Sequence, residues 1–186
     1  MLQPPLQVLI SAATIQQRVA QLGATLTAHY QASEALLLVG LLRGSFMFMA
    51  DLCRHIALPH EIDFIMATSY GQQTQSSGQV RLLKDLESEV ANKDLLIVED
   101  IVDSGRTLSQ IQALLQQRSP KSLAICALLD KPSRRLVEVD VQWCGFTIPD
   151  HFVAGYGLDY AQQYRHLDFI GVLPPDISSQ ESGIGG

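Results

Sequence analysis

The chain has 186 residues, 47% of them hydrophobic and 17% charged, which suits a single globular domain with a sizeable core and excludes a disordered chain. Thirteen basic residues against nineteen acidic give a formal charge of −6, so nucleic-acid binding, which rests on phosphate neutralisation by Lys and Arg, is not expected as the main function. No run of about 18 apolar residues occurs, so no membrane partner is expected, and the first residues lack the basic and apolar regions of a secretory leader.

Residues 14–30 read as a helix, with Ile15, Val19, Leu22 and Leu26 on one face and Thr14 and Gln17 spaced as a capping box. The apolar run 35–42 reads as a buried strand broken by Arg43-Gly44-Ser45. A helix follows over 46–56, then a strand over 61–68. The small polar stretch 69–78 cannot bury itself and reads as a long mobile loop. Strands are expected at 80–83 and 94–98, a helix carrying Leu108, Ile111 and Leu115, and a buried strand at 123–129. Short strands are expected at 137–143, 152–156 and 169–173, ahead of a frayed tail rich in Pro, Ser and Gly over 174–186. Cys53, Cys126 and Cys144 are odd in number and far apart, so they read as unpaired, buried residues of a reducing compartment, with the cytoplasm as the expected location.

Apolar strands alternating with helices predict an α/β fold around a mainly parallel twisted sheet flanked by helices. Ligands of such sheets bind beyond the carboxyl ends of the strands. That rule points to residues 43–45, 99–107, Lys131 and the region after Phe152.

The richest of these segments runs Val98-Glu99-Asp100-Ile101-Val102-Asp103-Ser104-Gly105-Arg106-Thr107. An apolar strand enters two adjacent carboxylates, then a glycine turn, then a helix. The first turn of a helix offers free N–H groups and the positive end of its dipole, and Ser104 and Thr107 add hydroxyl donors. This is a seat for a phosphate monoester. Glu99 and Asp100 suit ribose hydroxyls or Mg2+ beside it. The plainer alternative is an ordinary capped turn with solvated acids. Taken alone, Lys131 before Pro132 reads better as a helix or strand end with a solvated amine, Phe152 reads equally as core, and Asp159 with Arg165 can be a surface ion pair. Neither a P-loop nor a Gly-x-Gly-x-x-Gly turn is present.

Residues 98–107 resemble the phosphoribosyl pyrophosphate (PRPP) signature of the phosphoribosyltransferases. Residues 41–46 resemble the pyrophosphate loop of the 6-oxopurine branch, and residues 129–131 and 148–160 resemble its purine-binding segments, all in family order. The resemblance implies a type I phosphoribosyltransferase fold: a core over about 33–145, a hood built from about 1–12 and 146–173, and a mobile lid over about 69–80 with Ser69 and Tyr70.

It also implies roles. Ribose 5-phosphate passes from PRPP to hypoxanthine or guanine with release of pyrophosphate. The 5′-phosphate sits on Asp103, Ser104, Gly105, Arg106 and Thr107, while Glu99 and Asp100 hold the ribose hydroxyls, partly through Mg2+. Asp103 matches the general base near purine N7, Lys131 the donor to O6, Phe152 the stacking aromatic, and Val153 the backbone that reads the base edge. Asp159 matches a carboxylate near base and metal, and Arg43, Gly44 and Arg165 the pyrophosphate contacts. The peptide entering Arg43 is often cis in the family, and Arg43 stands where other members carry lysine. A homodimer or homotetramer is implied as well.

Overall fold

The computed structural model describes residues 6–69 and 80–174. The chain folds in the order β1 (Gln7–Ile10), α1 (Ala12–His29), β2 (Leu36–Leu42), α2 (Phe46–His55), β3 (Glu61–Ser69), β4 (Val80–Lys84), β5 (Asp94–Val102), α3 (Arg106–Gln116), β6 (Ser122–Asp130), β7 (Trp143–Thr147), β8 (Val153–Ala154) and β9 (Ile170–Val172). Six strands form one sheet in the order β4-β3-β2-β5-β6-β7. Every neighbouring pair in it is parallel except β3 with β4.

The alternation along each strand divides the core. Leu36 and Leu38 of β2 join Leu96 and Val98 of β5 under α1 and α2, where Val19, Leu26, Phe48 and Leu52 meet them. Leu37, Val39 and Leu41 point the other way, with Leu95 and Ile97, against Leu108, Ile111 and Leu115 of α3. Burying each such side chain stabilises the fold by about 1.5–3 kcal/mol. Because both faces of the sheet are covered, its central strands are continuously apolar, as the sequence of β2 and β5 shows.

β1, β9 and β8 form a second, antiparallel sheet that draws on both ends of the described chain. This is the small hood. Its return loop reaches the main sheet, because a Cβ added to Gly157 would lie 2.2 Å from the Gly44 carbonyl oxygen after β2.

Four expectations are corrected. α1 begins at Ala12, and its cap is Ser11, whose hydroxyl accepts from the Thr14 amide; Thr14 and Gln17 form no capping box. Residues 137–142 are not a strand: the Gln142 side chain takes the Ile125 N–H at 2.7 Å, and β7 starts only at Trp143. The strand expected at 152–156 spans only Val153–Ala154. Cys126 alone among the cysteines is buried, and burial pushes its thiol well up; Cys53 and Cys144 are half-buried. Tyr70, most of the expected lid, and the tail from 175 onward lie outside the described residues.

Candidate active site

The places singled out by the strand-end rule come together. At the end of β2 the Leu42–Arg43 peptide is cis, and Ser45 is buried with its hydroxyl donating to the Leu41 carbonyl at 2.6 Å. Gly44 packs directly on the end of β5. A Cβ at position 44 would fall 1.5 Å from Asp100 Oδ2, so any side chain there collides with the Asp100 carboxylate. Arg43 donates to Gln162 Oε1 at 3.2 Å, which ties this loop to the segment after β8.

Beyond β5 the chain makes the turn into α3. Gly105 caps the helix with φ +79°, a left-handed conformation that glycine adopts without strain. A Cβ there would also meet the Val137 carbonyl at 2.4 Å. The Ser104 carbonyl accepts from the Leu136 and Val137 amides, both at 3.0 Å, and the Arg135 guanidinium donates to the Asp103 carbonyl at 3.0 Å. The turn is thus held from outside, and a concavity opens over it, lined by Glu99, Val102, Asp103, Ser104, Gly105 and Thr107. The amides that open a helix have no intrahelical acceptor, so this concavity has the chemistry of an anion seat.

Glu99 lines this concavity, and Asp100 is buried next to it in the chain, against Gly44. Burial pushes Glu99 well above the usual carboxylate range, and the neighbouring Asp100 charge pushes it further. Burial also raises Asp100, against hydrogen bonds from Glu99 and the Ile101 amide and the charge of Arg165. Glu99 Oε2 is buried without a hydrogen-bond partner. Two adjacent acids, one with an unpartnered buried oxygen, are short of a cation or hydroxyl donors. Hard oxygen donors of this kind fit Mg2+, which usually takes one or two carboxylates and completes its shell with water and substrate phosphates. Among the described residues no three His, Cys, Asp or Glu side chains gather as a complete metal cage.

A second concavity adjoins the first and shares Ile101 and Asp103 with it. Its other walls include Lys131, Phe152, Val153, Leu158 and Asp159. Lys131 is buried at the end of β6 with its amide donating to Val102 at 3.0 Å. Burial holds its pKa below the ordinary lysine value, aided by the Arg134 charge and only partly opposed by the charges of Asp103 and Asp150. Phe152 is 41% exposed, so it is not core, and its ring meets Tyr160 edge to face at 5.7 Å. Asp159 pairs with Arg165 at 2.6 Å and accepts from the Gln162 amide at 2.9 Å. Arg165 also donates to the Gly157 carbonyl at 2.8 Å.

Of the residues named from sequence, Glu99, Asp103, Ser104, Gly105 and Thr107 line the first concavity, and Asp103, Lys131, Phe152, Val153 and Asp159 line the second. Asp100, Gly44, Arg43, Arg106 and Arg165 line neither, although Gly44 packs on Asp100 and Arg165 pairs with Asp159; Ser69 is the last residue of β3. Sequence reasoning missed Arg134, Arg135 and Asp150. Arg134 Nε lies 3.1 Å from Asp103 Oδ1, Arg135 pairs with Asp130, and Asp150 faces both Lys131 and Arg134. The only local signal was the pair of arginines soon after Lys131.

Comparison with known proteins identifies the family of the chain. Residues 11–161 match the phosphoribosyl transferase domain family. The hypoxanthine phosphoribosyltransferase of Salmonella typhimurium is 57% identical over 166 residues, covering 89% of this chain and 93% of that one. The hypoxanthine-guanine phosphoribosyltransferase of Bacillus subtilis is 50% identical over 171 residues, covering 92% and 94%. A crystal structure of a hypoxanthine phosphoribosyltransferase from Staphylococcus aureus superposes with a TM-score of 0.88 at 47% identity, covering 92% of each chain.

Proposed function

We propose that this chain, which belongs to the phosphoribosyl transferase family, moves ribose 5-phosphate from PRPP to hypoxanthine, and also to guanine, forming IMP or GMP and pyrophosphate. The relatives that are 57% and 50% identical carry these bases in their names. The observation that carries the reading is the position of Asp103, which lines the anion seat and the adjoining concavity at once. A group there reaches both a phosphoribosyl unit and the base that receives it.

In this reading the turn of residues 103–107 holds the 5′-phosphate through the amides opening α3 and the hydroxyls of Ser104 and Thr107. Lys131 donates to the purine O6. An amino group at that position would set donor against donor, and a site built on a polar contact rejects such an analogue strongly. Phe152 stacks on the base, and the Val153 backbone reads its edge. Glu99 and Asp100, with Asp159, are the residues that would hold Mg2+, which when bound supplies charge neutralisation at the pyrophosphate. Arg165 and the backbone of Arg43 and Gly44 receive that pyrophosphate.

The C1′–oxygen bond breaks with its electron pair leaving on pyrophosphate. The purine N9 forms the new bond to C1′, and Asp103 takes the proton released from N7. General-base assistance of this kind is typically worth 10²–10⁴-fold.

The free cysteines fit a reducing compartment, and we assign the reaction to the cytoplasm. The test is incubation with PRPP, Mg2+ and hypoxanthine followed by chromatography. IMP and pyrophosphate in equal amounts are expected; no IMP from folded protein overturns the reading.

A further inference from the structure

A chain of alternating charge crosses the cleft. Asp103 comes from the turn before α3, Lys131 and Arg134 from the end of β6, and Asp150 from the loop after β7. Arg134 sits on a short 3₁₀ turn, Pro132–Arg134, and its amide donates to the Lys131 carbonyl at 3.0 Å. Its Nε reaches Asp103 Oδ1 at 3.1 Å, and its Nη1 lies 3.5 Å from Asp150 Oδ2. The other oxygen of Asp150 lies 3.9 Å from Lys131 Nζ.

The side chains of Arg134, Asp103 and Asp150 are about half exposed, so, like other solvent-screened ion pairs, these contacts add little to stability. What they fix is geometry. A guanidinium presents a rigid planar fork, whereas an ammonium is a point charge. With Oδ1 taken by Arg134, the Asp103 carboxylate keeps Oδ2 for a second partner. The same fork keeps Asp150 next to the Lys131 ammonium. The remaining charged groups around these two are Arg135, on the Asp103 carbonyl, and Asp159 on the far wall.

We infer that Arg134 is a positioning residue for the transfer, aiming the Asp103 carboxylate at the purine and holding Asp150 beside Lys131. The inference rests on the function proposed above and assigns the work of orientation to a residue outside the PRPP signature. The opposite role is a plug, in which Arg134 covers Asp103 and must leave before the base enters.

Steady-state kinetics of the full chain separate the two. A misplacement of about 1 Å can cost up to about 10²-fold in rate. Arg134→Ala is expected to lower kcat with hypoxanthine roughly tenfold while the PRPP KM changes less than about twofold. Arg134→Lys, which restores the charge but not the fork, is expected to fall between. Both variants should unfold at the wild-type temperature, which separates loss of aim from loss of fold. If Arg134→Ala keeps wild-type kcat and KM, or turns over faster with a lower purine KM, the positioning role is overturned while the transferase reading stands. A wild-type chain that forms no IMP overturns both. If Arg134→Ala does not fold, Arg134→Lys decides: wild-type kcat there overturns the need for the fork, and a reduced kcat at unchanged PRPP KM supports it.

Discussion

Gly44 and Asp100 lie 56 positions apart in the chain, yet a Cβ built on Gly44 would fall 1.5 Å from Asp100 Oδ2. The glycine at the end of β2 exists because the Asp100 carboxylate already fills the place of its Cβ. Gly44→Ala must therefore push Asp100 aside or move the loop, and overpacking of this kind costs about 1–3 kcal/mol. The same displacement disturbs the amides proposed for pyrophosphate and the acid proposed for Mg2+. We expect Gly44→Ala to raise the PRPP KM at least tenfold, more than it lowers the unfolding temperature would explain; wild-type PRPP saturation in this variant would contradict the packing argument. At this scale the sequence was informative where function is local. Residues 99–107 carry the acids, the turn glycine and the hydroxyls in one continuous run, so their grouping could be read directly. Arg134 and Asp150 could not, because their partners Asp103 and Lys131 are brought to them by the pairing of β5, β6 and β7.

The elements that frame the cleft have their own anchors. Asp63 on β3 is buried and accepts from the amides of Phe64 at 2.6 Å, Glu87 at 2.7 Å and Ser88 at 2.8 Å. Burial pushes its pKa up, but these hydrogen bonds and the Lys84 charge outweigh it and hold the carboxyl below the usual range. A depressed folded pKa means stability that is present above the unfolded value of about 3.9 and lost as pH falls through the folded value. Asp63→Asn is thus expected to cost about 1.5–3 kcal/mol at pH 7. The gap to wild type should close below about pH 4 in denaturant titrations. A gap independent of pH would show that the charge is not what matters. Element types were legible because α1 and α2 have helical periods and the central strands are short, continuous apolar runs. Residues 137–142 misled: Val137, Val139 and Val141 alternate as a strand does, yet Val139 and Val141 pack against the α3-side core as an irregular segment. A side chain, Gln142, occupies the β6 amide that a strand partner would have taken.

At the scale of the molecule, the carboxyl ends of β2, β5 and β6 face one cleft, and the hood closes over it from both ends of the chain. That ligands gather beyond such strand ends is a property of parallel sheets and was readable in advance. The strand order, with β2 between β3 and β5, was not, because it depends on pairings between distant segments. The hood sheet was also beyond local pattern, since β8 and β9 are two and three residues long. We propose that the enzyme works as a homodimer or homotetramer, so sedimentation should give twice or four times the chain mass of 20.4 kDa. A mass of a single chain at working concentration would contradict this.

The measurement that bears most directly on the cleft's chemistry is the initial rate of nucleotide formation from PRPP and Mg2+ with hypoxanthine, guanine, xanthine and adenine in parallel, for wild type and Asp103→Asn. The account predicts IMP as the fastest product, GMP next and little or no AMP. It also predicts a loss of about 10²–10⁴-fold in Asp103→Asn. Adenine turned over as fast as hypoxanthine, or Asp103→Asn at the wild-type rate, would contradict it.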